Sequence, residues 1–354
     1  MAVRNPINES EPQNKLRMKS QFRLLLLLGL LTVSTAVRAD ALENNQIPAD
    51  AKWLLHLDLE NLRKTQLGKF AMAHLDKALE EAKAAIKMDL RPVLQKVSYL
   101  TAYGDDYAKG PQASGVLLVK MDAETQKILE GLIASQMLAA KDDSIKKVQQ
   151  DASVLYSLKD ELHLAIEPNH VVVVSKSQNQ IEKARQVLAG KSPNQGKARA
   201  FSGFPATPNT FFMLAVAEAF NENSDLPPQA KILQMTDAGR IVLGEKTDKV
   251  FLELILRAKT KELVQQIQQV VQGMVALVSL SQVENPELIE LANAINVTPQ
   301  EKMVVINVEY SLAKIMNKLS EEMEKHHKPQ GRKPKANLEK DSEDKPASDA
   351  PKKP

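Results

Sequence analysis

The feature that most restricts the fold is a run of strand-like segments joined by very short turns. Residues 153–158, 161–167 and 171–175 are rich in apolar side chains, and only two or three residues separate one segment from the next. Turns this short make neighbouring strands antiparallel. A doubly wound parallel sheet needs a regular alternation of strands and helices, and these adjacent strand pairs interrupt it.

Amphipathic helices are predicted between further strands. In 67–88 and 260–280, apolar residues recur at spacings of three and four, and glutamines lie opposite the stripe of the second segment. Because glutamine pairs interrupt 260–280, we expect a core helix and not a membrane span; its methionine-containing face also suits partner binding. The remaining strands are expected at 53–59, 97–103, 115–121, 210–217, 240–244, 250–257 and 303–309, and the remaining helices at 123–137, 178–188, 287–295 and 311–323. The predicted fold class is α+β, with antiparallel sheets and amphipathic helices packed on one face.

The order of these elements suggests an internal duplication. Ile47-Pro48-Ala49 precedes one apolar strand, and Phe204-Pro205-Ala206 precedes another. Each strand is followed by a strand pair, a long helix and a final strand with its helix. We therefore predict a first α+β half at 42–190 and a second at 209–325. The segment 191–208, rich in Gly, Pro, Ser and Lys, is interpreted as the linker between them.

The first 41 residues are interpreted as a secretory signal peptide with an N-terminal extension. Four basic residues between positions 15 and 23 precede an apolar run at 24–33, and small residues follow it. The run is about half of the roughly twenty residues that span a bilayer. Cleavage would leave a mature chain that begins at Asp40 or Leu42. The alternative is an uncleaved N-terminal membrane anchor.

Composition limits both the core and the chemistry. Aromatic residues make up 4% of the chain, so the core is expected to be aliphatic. Cysteine is absent, which excludes disulfides, thiolate metal sites and a cysteine nucleophile, and fits an oxidising compartment. Residues 326–354, rich in Lys and Pro, have almost no large apolar side chains and are predicted to be a disordered tail.

The charge distribution argues against nucleic-acid binding. Of the net charge of +3, residues 1–39 contribute +4 and residues 326–354 contribute +3, which leaves −4 on residues 40–325. A nucleic-acid-binding protein is expected to carry its basic surplus on the folded surface. We therefore expect no nucleic-acid partner.

The opening of the predicted mature chain carries a resemblance. Ile47-Pro48-Ala49-Asp50 leads directly into the apolar strand that begins at Trp53. Together with the leader and the hairpin–helix order, this opening resembles uncharacterised exported bacterial proteins whose mature domain begins with a Pro-Ala-Asp phrase. The resemblance covers most of 18–325 and is architectural. It implies no established activity and no functional residues.

Candidate catalytic residues are few. His56 and Asp58 lie two residues apart on one face of a predicted strand, and His163 is expected on a neighbouring strand. These three are the candidates for an acid–base site, and an ordinary partly exposed strand face is the favoured interpretation. The sequence contains no HExxH motif, no Gly-x-Ser-x-Gly motif and no phosphate-binding glycine loop, so no metal and no cofactor is expected.

The sequence therefore favours a non-catalytic binding or scaffold protein of the periplasm or cell envelope. Its partner would be another envelope protein or a polymer. The alternatives are an exported hydrolase with an acid–base site outside known motifs, and a membrane-tethered protein that keeps its N-terminus.

Overall fold

The computed structural model describes residues 42–86, 89–107, 114–139, 145–150, 153–159, 161–196, 201, 203–208, 210–219, 228–281 and 286–327. The predicted signal peptide, residues 1–41, lies outside these ranges. So do residues 328–354 of the predicted tail.

The described residues form a large antiparallel sheet. Its strands are β1 (Trp53–Asp58), β2 (Tyr99–Gly104), β3 (Val116–Lys120), β4 (Ile145–Gln150), β5 (Ser153–Leu158), β6 (Leu162–Ile166), β7 (Val171–Ser175), β8 (Phe211–Glu218), β9 (Thr236–Lys246), β10 (Lys249–Ala258), β11 (Ile295–Gln300) and β12 (Met303–Ser311). Within the described residues the sheet has 12 strands in the order β11-β12-β10-β9-β8-β1-β2-β3-β7-β6-β5-β4. β1 lies inside the sheet and pairs with β2 and with β8.

Helices separate groups of strands along the chain. They are α1 (Leu59–Lys64), α2 (Gln66–Ile86), α3 (Arg91–Leu94), α4 (Ala123–Ala139), α5 (Gln178–Leu188), α6 (Lys261–Ser281), α7 (Pro286–Asn293) and α8 (Leu312–His327). The combination of these helices with a large antiparallel sheet confirms the α+β fold class.

Helices cover both faces of the sheet around β7, so the prediction that they pack on one face is wrong here. Val172 belongs to the apolar cluster that contains Leu129 of α4, whereas Val173 belongs to the cluster that contains Ile181 of α5. Successive strand residues point to opposite faces. The physical reason is in the sequence of β7, Val-Val-Val-Val-Ser, which is apolar on both faces and must be covered on both.

A separate apolar cluster lies between α6 and the strands β10, β12 and β11. Val264, Ile267 and Val271 of α6 pack there with buried residues of β10 and β12, including Leu256 and Val304. This contact holds the first half of α6 on the sheet, and it sets the position of the surface described below.

Part of the predicted linker packs against the opening of the fold. The backbone N–H of Gln195 donates to the carbonyl oxygen of Ile47 at 2.8 Å, and Pro48 forms an isolated bridge with Asn194. Asn194 and Gln195 therefore pack against the segment that precedes β1.

Two strands are not predicted by the sequence. β4 pairs with β5 at one end of the sheet, and its residues 146–149 are exposed, so polar side chains are tolerated there. β11 lies at the other end and contains Pro299, which is tolerated on an edge strand. The helix predicted at 287–295 ends at Asn293, because Ile295 already pairs with Val308 of β12.

The contacts divide the chain into two compact units after Met316. The first unit holds the entire described sheet. Of the second unit, the described residues 317–327 form the end of α8. There the Nζ atom of Lys318 lies 3.7 Å from the Oε2 atom of Glu321, and the two residues form an ion pair across one helical turn.

Candidate functional site: the apolar end of helix α6

The first candidate residue, His56, is enclosed in the middle of the sheet. It lies on β1 opposite Thr101 of β2 and Leu214 of β8, and its side chain has no exposed surface. Its Nδ1 atom is 2.8 Å from the Thr101 hydroxyl oxygen. The rings of Tyr99 and Phe211 pack beside it, with centroids 5.3 Å and 6.3 Å away.

This enclosure controls the protonation of His56. Burial lowers the pKa of the imidazole from 6.5 to about 4, because the charged form would lose its hydration. Among the described residues, the Nε2 atom has no hydrogen-bond partner. The imidazole is therefore neutral at pH 7, and no solvent reaches it directly, so it is poorly placed to exchange protons with a substrate.

Asp58 has a structural task. Its carboxylate accepts a hydrogen bond from the backbone N–H of Asn61 at 2.8 Å and so caps the N-terminus of α1. Burial raises the pKa of this carboxyl, and the hydrogen bond from Asn61 acts in the opposite direction. The sequence predicted that Asp58 shares a strand face with His56. It did not predict the helix cap, because α1 has no long apolar pattern that would have marked a helix after Asp58.

His163 does not lie on a neighbouring strand, and that prediction is wrong. It is on β6, opposite Ser157 of β5 and Ser175 of β7. Strands β2, β3 and β7 separate β6 from β1, so His163 is four strand spacings, roughly 19 Å, from His56. Two imidazoles at this distance cannot share a metal ion, whose ligands lie about 2 Å from it. Across the described part of the chain, no group of three or more His, Asp or Glu side chains is arranged to hold a metal.

Helix α6 presents the more informative surface. Its first half is anchored, since Val264, Ile267 and Val271 are 3%, 0% and 6% exposed. From residue 272 to residue 280, no side chain of α6 is buried. Met274 is half-buried and is the furthest residue along α6 that packs on the apolar cluster beneath the helix, so Leu280 lies about 9 Å beyond this contact along the helix axis.

The side chains on this projecting part are aliphatic. Leu277 is 66% exposed and Leu280 is 73% exposed, and Val270, about two turns before Leu277, is 44% exposed. Helix α7 packs on α6, and these exposed fractions are what remains after α7 has covered part of the helix. Exposed leucines clustered at one helix end differ from single surface apolar residues, because they form a continuous patch.

The polar face of α6 also ends before the helix does. Glutamines occupy that face as far as Gln272, and Gly273, Ala276 and Leu280 continue its line, so the last two turns are apolar almost all round. Residues 263–283 contain no charged side chain. By length and composition Lys261–Leu280 would reach across a membrane, and 17% of its most apolar 18-residue segment is buried.

The sequence carried a signal for this surface that periodicity did not capture. The apolar stripe of 260–280 predicted a core helix, and the stripe packs on the core from Leu263 to Met274. The loss of glutamine after Gln272 is the signal that marks the exposed end.

Comparisons with known proteins find only distant structural similarity. No family model matches the sequence, and no curated protein matches it. Among solved structures, crystal form III of TP0453 is similar with a TM-score of 0.44 and 12% identity, over 80% of this chain and 99% of that chain. Crystal form I of TP0453 gives a TM-score of 0.41 and 10% identity over the same shares. At these scores the likeness carries no inference about what this chain does.

Proposed function

We propose that this chain is an exported, non-catalytic binding or scaffold protein of the periplasm or cell envelope. Its binding surface is the apolar end of α6, formed by Leu277 and Leu280, and Val270 adds an exposed valine about two turns before them. The observation that carries the proposal is this exposed aliphatic patch on a helix whose other half is anchored in the core. A monomeric soluble protein gains little from such a patch unless another molecule covers it.

The candidate acid–base residues support the non-catalytic part of the proposal. His56 is fully buried and Asp58 caps a helix, so neither side chain is free to approach a substrate. His163 is too distant to complete a site with them. A hydrolase built on these three residues therefore has little geometric support.

Export rests on the sequence of the leader, in which basic residues precede a short apolar run. The test is cell fractionation followed by N-terminal sequencing of the recovered protein. We expect the protein in the periplasmic or envelope fraction with Asp40 or Leu42 as its first residue. Recovery of the full-length chain from the cytosol would refute export, and an intact leader in the membrane fraction would favour the tethered alternative.

The non-catalytic part has its own test. The purified protein and the variant His56→Asn are screened with ester, peptide and glycoside substrates, after circular dichroism has shown that the variant is folded. We expect no turnover by either protein. Hydrolysis by the wild type that disappears in the folded variant would replace this proposal with the hydrolase alternative.

The proposal includes the internal duplication. Outward from the centre of the sheet, the strand orders are β1-β2-β3-β7-β6 on one side and β8-β9-β10-β12-β11 on the other. α4 follows β3 as α6 follows β10, and α5 follows β7 as α8 follows β12. An experimental structure in which the first three strands and long helix of one half superpose on those of the other would support the duplication. Different crossing angles of α4 and α6 on their strands would contradict it.

A further inference from the structure

We propose that the last two turns of α6 insert into the acyl-chain region of a lipid bilayer. This inference rests on the proposed function, since it names the partner of the apolar surface described there. The C-terminal end of the helix would enter the interface, with the first half of the helix still packed on the sheet. It would not span the bilayer, because spanning would require Val264, Ile267 and Val271 to leave their buried contacts.

The kind of side chain on the patch favours lipid over a protein partner. Protein interfaces concentrate binding energy in Trp, Tyr and Arg, which combine large contact area with polar groups. Residues 263–283 contain none of these three types. Valine and leucine have no polar group to satisfy, and hydrocarbon chains cover them without the shape complementarity that a protein groove must supply.

The change in polarity along α6 matches a bilayer surface. The glutamines that end at Gln272 would lie at the headgroup level, where amide groups keep hydrogen-bond partners. Leu277 and Leu280 lie one to two turns further along the helix, about 8–12 Å beyond Gln272. If the C-terminal end of α6 enters the bilayer first, these leucines reach below the headgroups while Gln272 stays among them.

The charges predict which lipids are needed. Residues 263–283 are uncharged, and the next charged residue is Glu284. Insertion should therefore be driven by apolar burial alone. It should occur on neutral phosphatidylcholine vesicles, should not require anionic lipid, and should persist in high salt. The basic tail at 326–354 would behave in the opposite way, because its attraction to a surface requires anionic lipid and is screened by salt.

The absence of cysteine makes a site-specific test possible. Leu280→Cys, labelled with an environment-sensitive fluorophore, is mixed with phosphatidylcholine vesicles that carry a nitroxide quencher in the acyl chains. Val148→Cys on β4 is the matched control, because Val148 is also an exposed aliphatic residue, at 55%. We expect a blue shift and quenching for the label at position 280, and neither for the label at 148.

A second measurement uses vesicle flotation. The double variant Leu277→Ser/Leu280→Ser should partition about 100-fold more weakly than the wild type, since two largely exposed leucines lose their transfer to hydrocarbon. Val148→Ser should partition like the wild type. Both substitutions are at exposed positions, and thermal melts of the variants establish that the fold is retained.

Several results would overturn the inference. A label at 280 that stays in water on vesicle-bound protein would place the contact elsewhere in the chain. A blue shift without vesicles that grows with protein concentration would identify a second copy of the chain as the partner. Binding that needs anionic lipid and disappears in salt would assign it to the tail. Recovery of the chain from the cytosol would refute export but not insertion, whereas a failed vesicle test would refute insertion and leave export standing.

Discussion

The burial of His56 predicts a loss of stability in mild acid. Its pKa in the folded state is lowered to about 4 by burial, whereas an exposed histidine in the unfolded chain has a pKa of about 6.5. The unfolded state therefore takes up a proton first as the pH falls. As the pH falls below the pKa of the unfolded state, the free energy of unfolding decreases. The decrease is complete once the pH is below the pKa of His56 in the folded state.

The size of the effect follows from these two values. At about 1.36 kcal/mol per pKa unit, a lowering from about 6.5 to about 4 corresponds to about 3.4 kcal/mol once both states are protonated. Between pH 7 and pH 5, proton linkage gives a loss of about 2 kcal/mol. Asp58 acts in the opposite direction, because burial raises its pKa and the folded state then binds a proton more readily than the unfolded state. That contribution appears nearer the ordinary pKa of a carboxyl, at the acid end of the range.

The assay is urea unfolding at pH 7, 6 and 5 at constant ionic strength, for the wild type and for His56→Asn. Asparagine has a nitrogen that can occupy the position of Nδ1 beside Thr101, and it does not titrate. The stability of the wild type should fall by about 2 kcal/mol more than that of the variant between pH 7 and pH 5. Equal losses in the two proteins would mean that His56 is protonated without cost, and the argument from its burial would be wrong.

The remaining predictions concern α6 and two glycines. Ile267→Ala should lower the free energy of unfolding by about 3 kcal/mol because Ile267 is fully buried, whereas Leu277→Ala, at a site 66% exposed, should change it by less than about 0.5 kcal/mol in the same urea titration; similar losses at both sites would contradict the division of the helix. Gly104→Ala should destabilise the protein by about 1–3 kcal/mol, because the new Cβ would lie 2.6 Å from the indole ring of Trp53. Gly131→Ala on α4 should instead stabilise it by about 0.5–1 kcal/mol, since nothing lies within 4 Å of the added methyl group and alanine favours a helix; thermal melts that rank the two glycine variants in the other order would refute this reading of their surroundings.

Much of the fold follows from local sequence pattern. The short turns around β5, β6 and β7 restrict these strands to antiparallel pairing, and the spacing of apolar residues identifies α4, α5 and α6. The edge strands β4 and β11 were not predicted, because they lack the apolar pattern on which these predictions depend. A strand paired on one side only and exposed along most of its length needs no apolar alternation, so its sequence looks like a loop.

The candidate site depended on distances between segments that are far apart in sequence. The sequence placed His56 and Asp58 on one strand face, and they share it, but the expectation that this face is partly exposed is wrong, because both residues are buried. It placed His163 beside them, but strand order depends on which long-range pairings form, and three strands intervene. Local pattern contains no information on how many strands separate β1 from β6.

The sequence by itself therefore determined the antiparallel α+β class, the aliphatic character of the core and the positions of the main helices. These follow from turn length and from the periods of strand and helix, which are properties of short stretches of chain. Only the tertiary structure decided that His56 is sealed inside the sheet and that α6 is buried at Ile267 and exposed at Leu280. Ile267 belongs to the stripe of α6 that faces the sheet, whereas Leu280 continues the line of the glutamines on the other side of the helix, and an apolar residue at that position does not by itself show whether anything covers it.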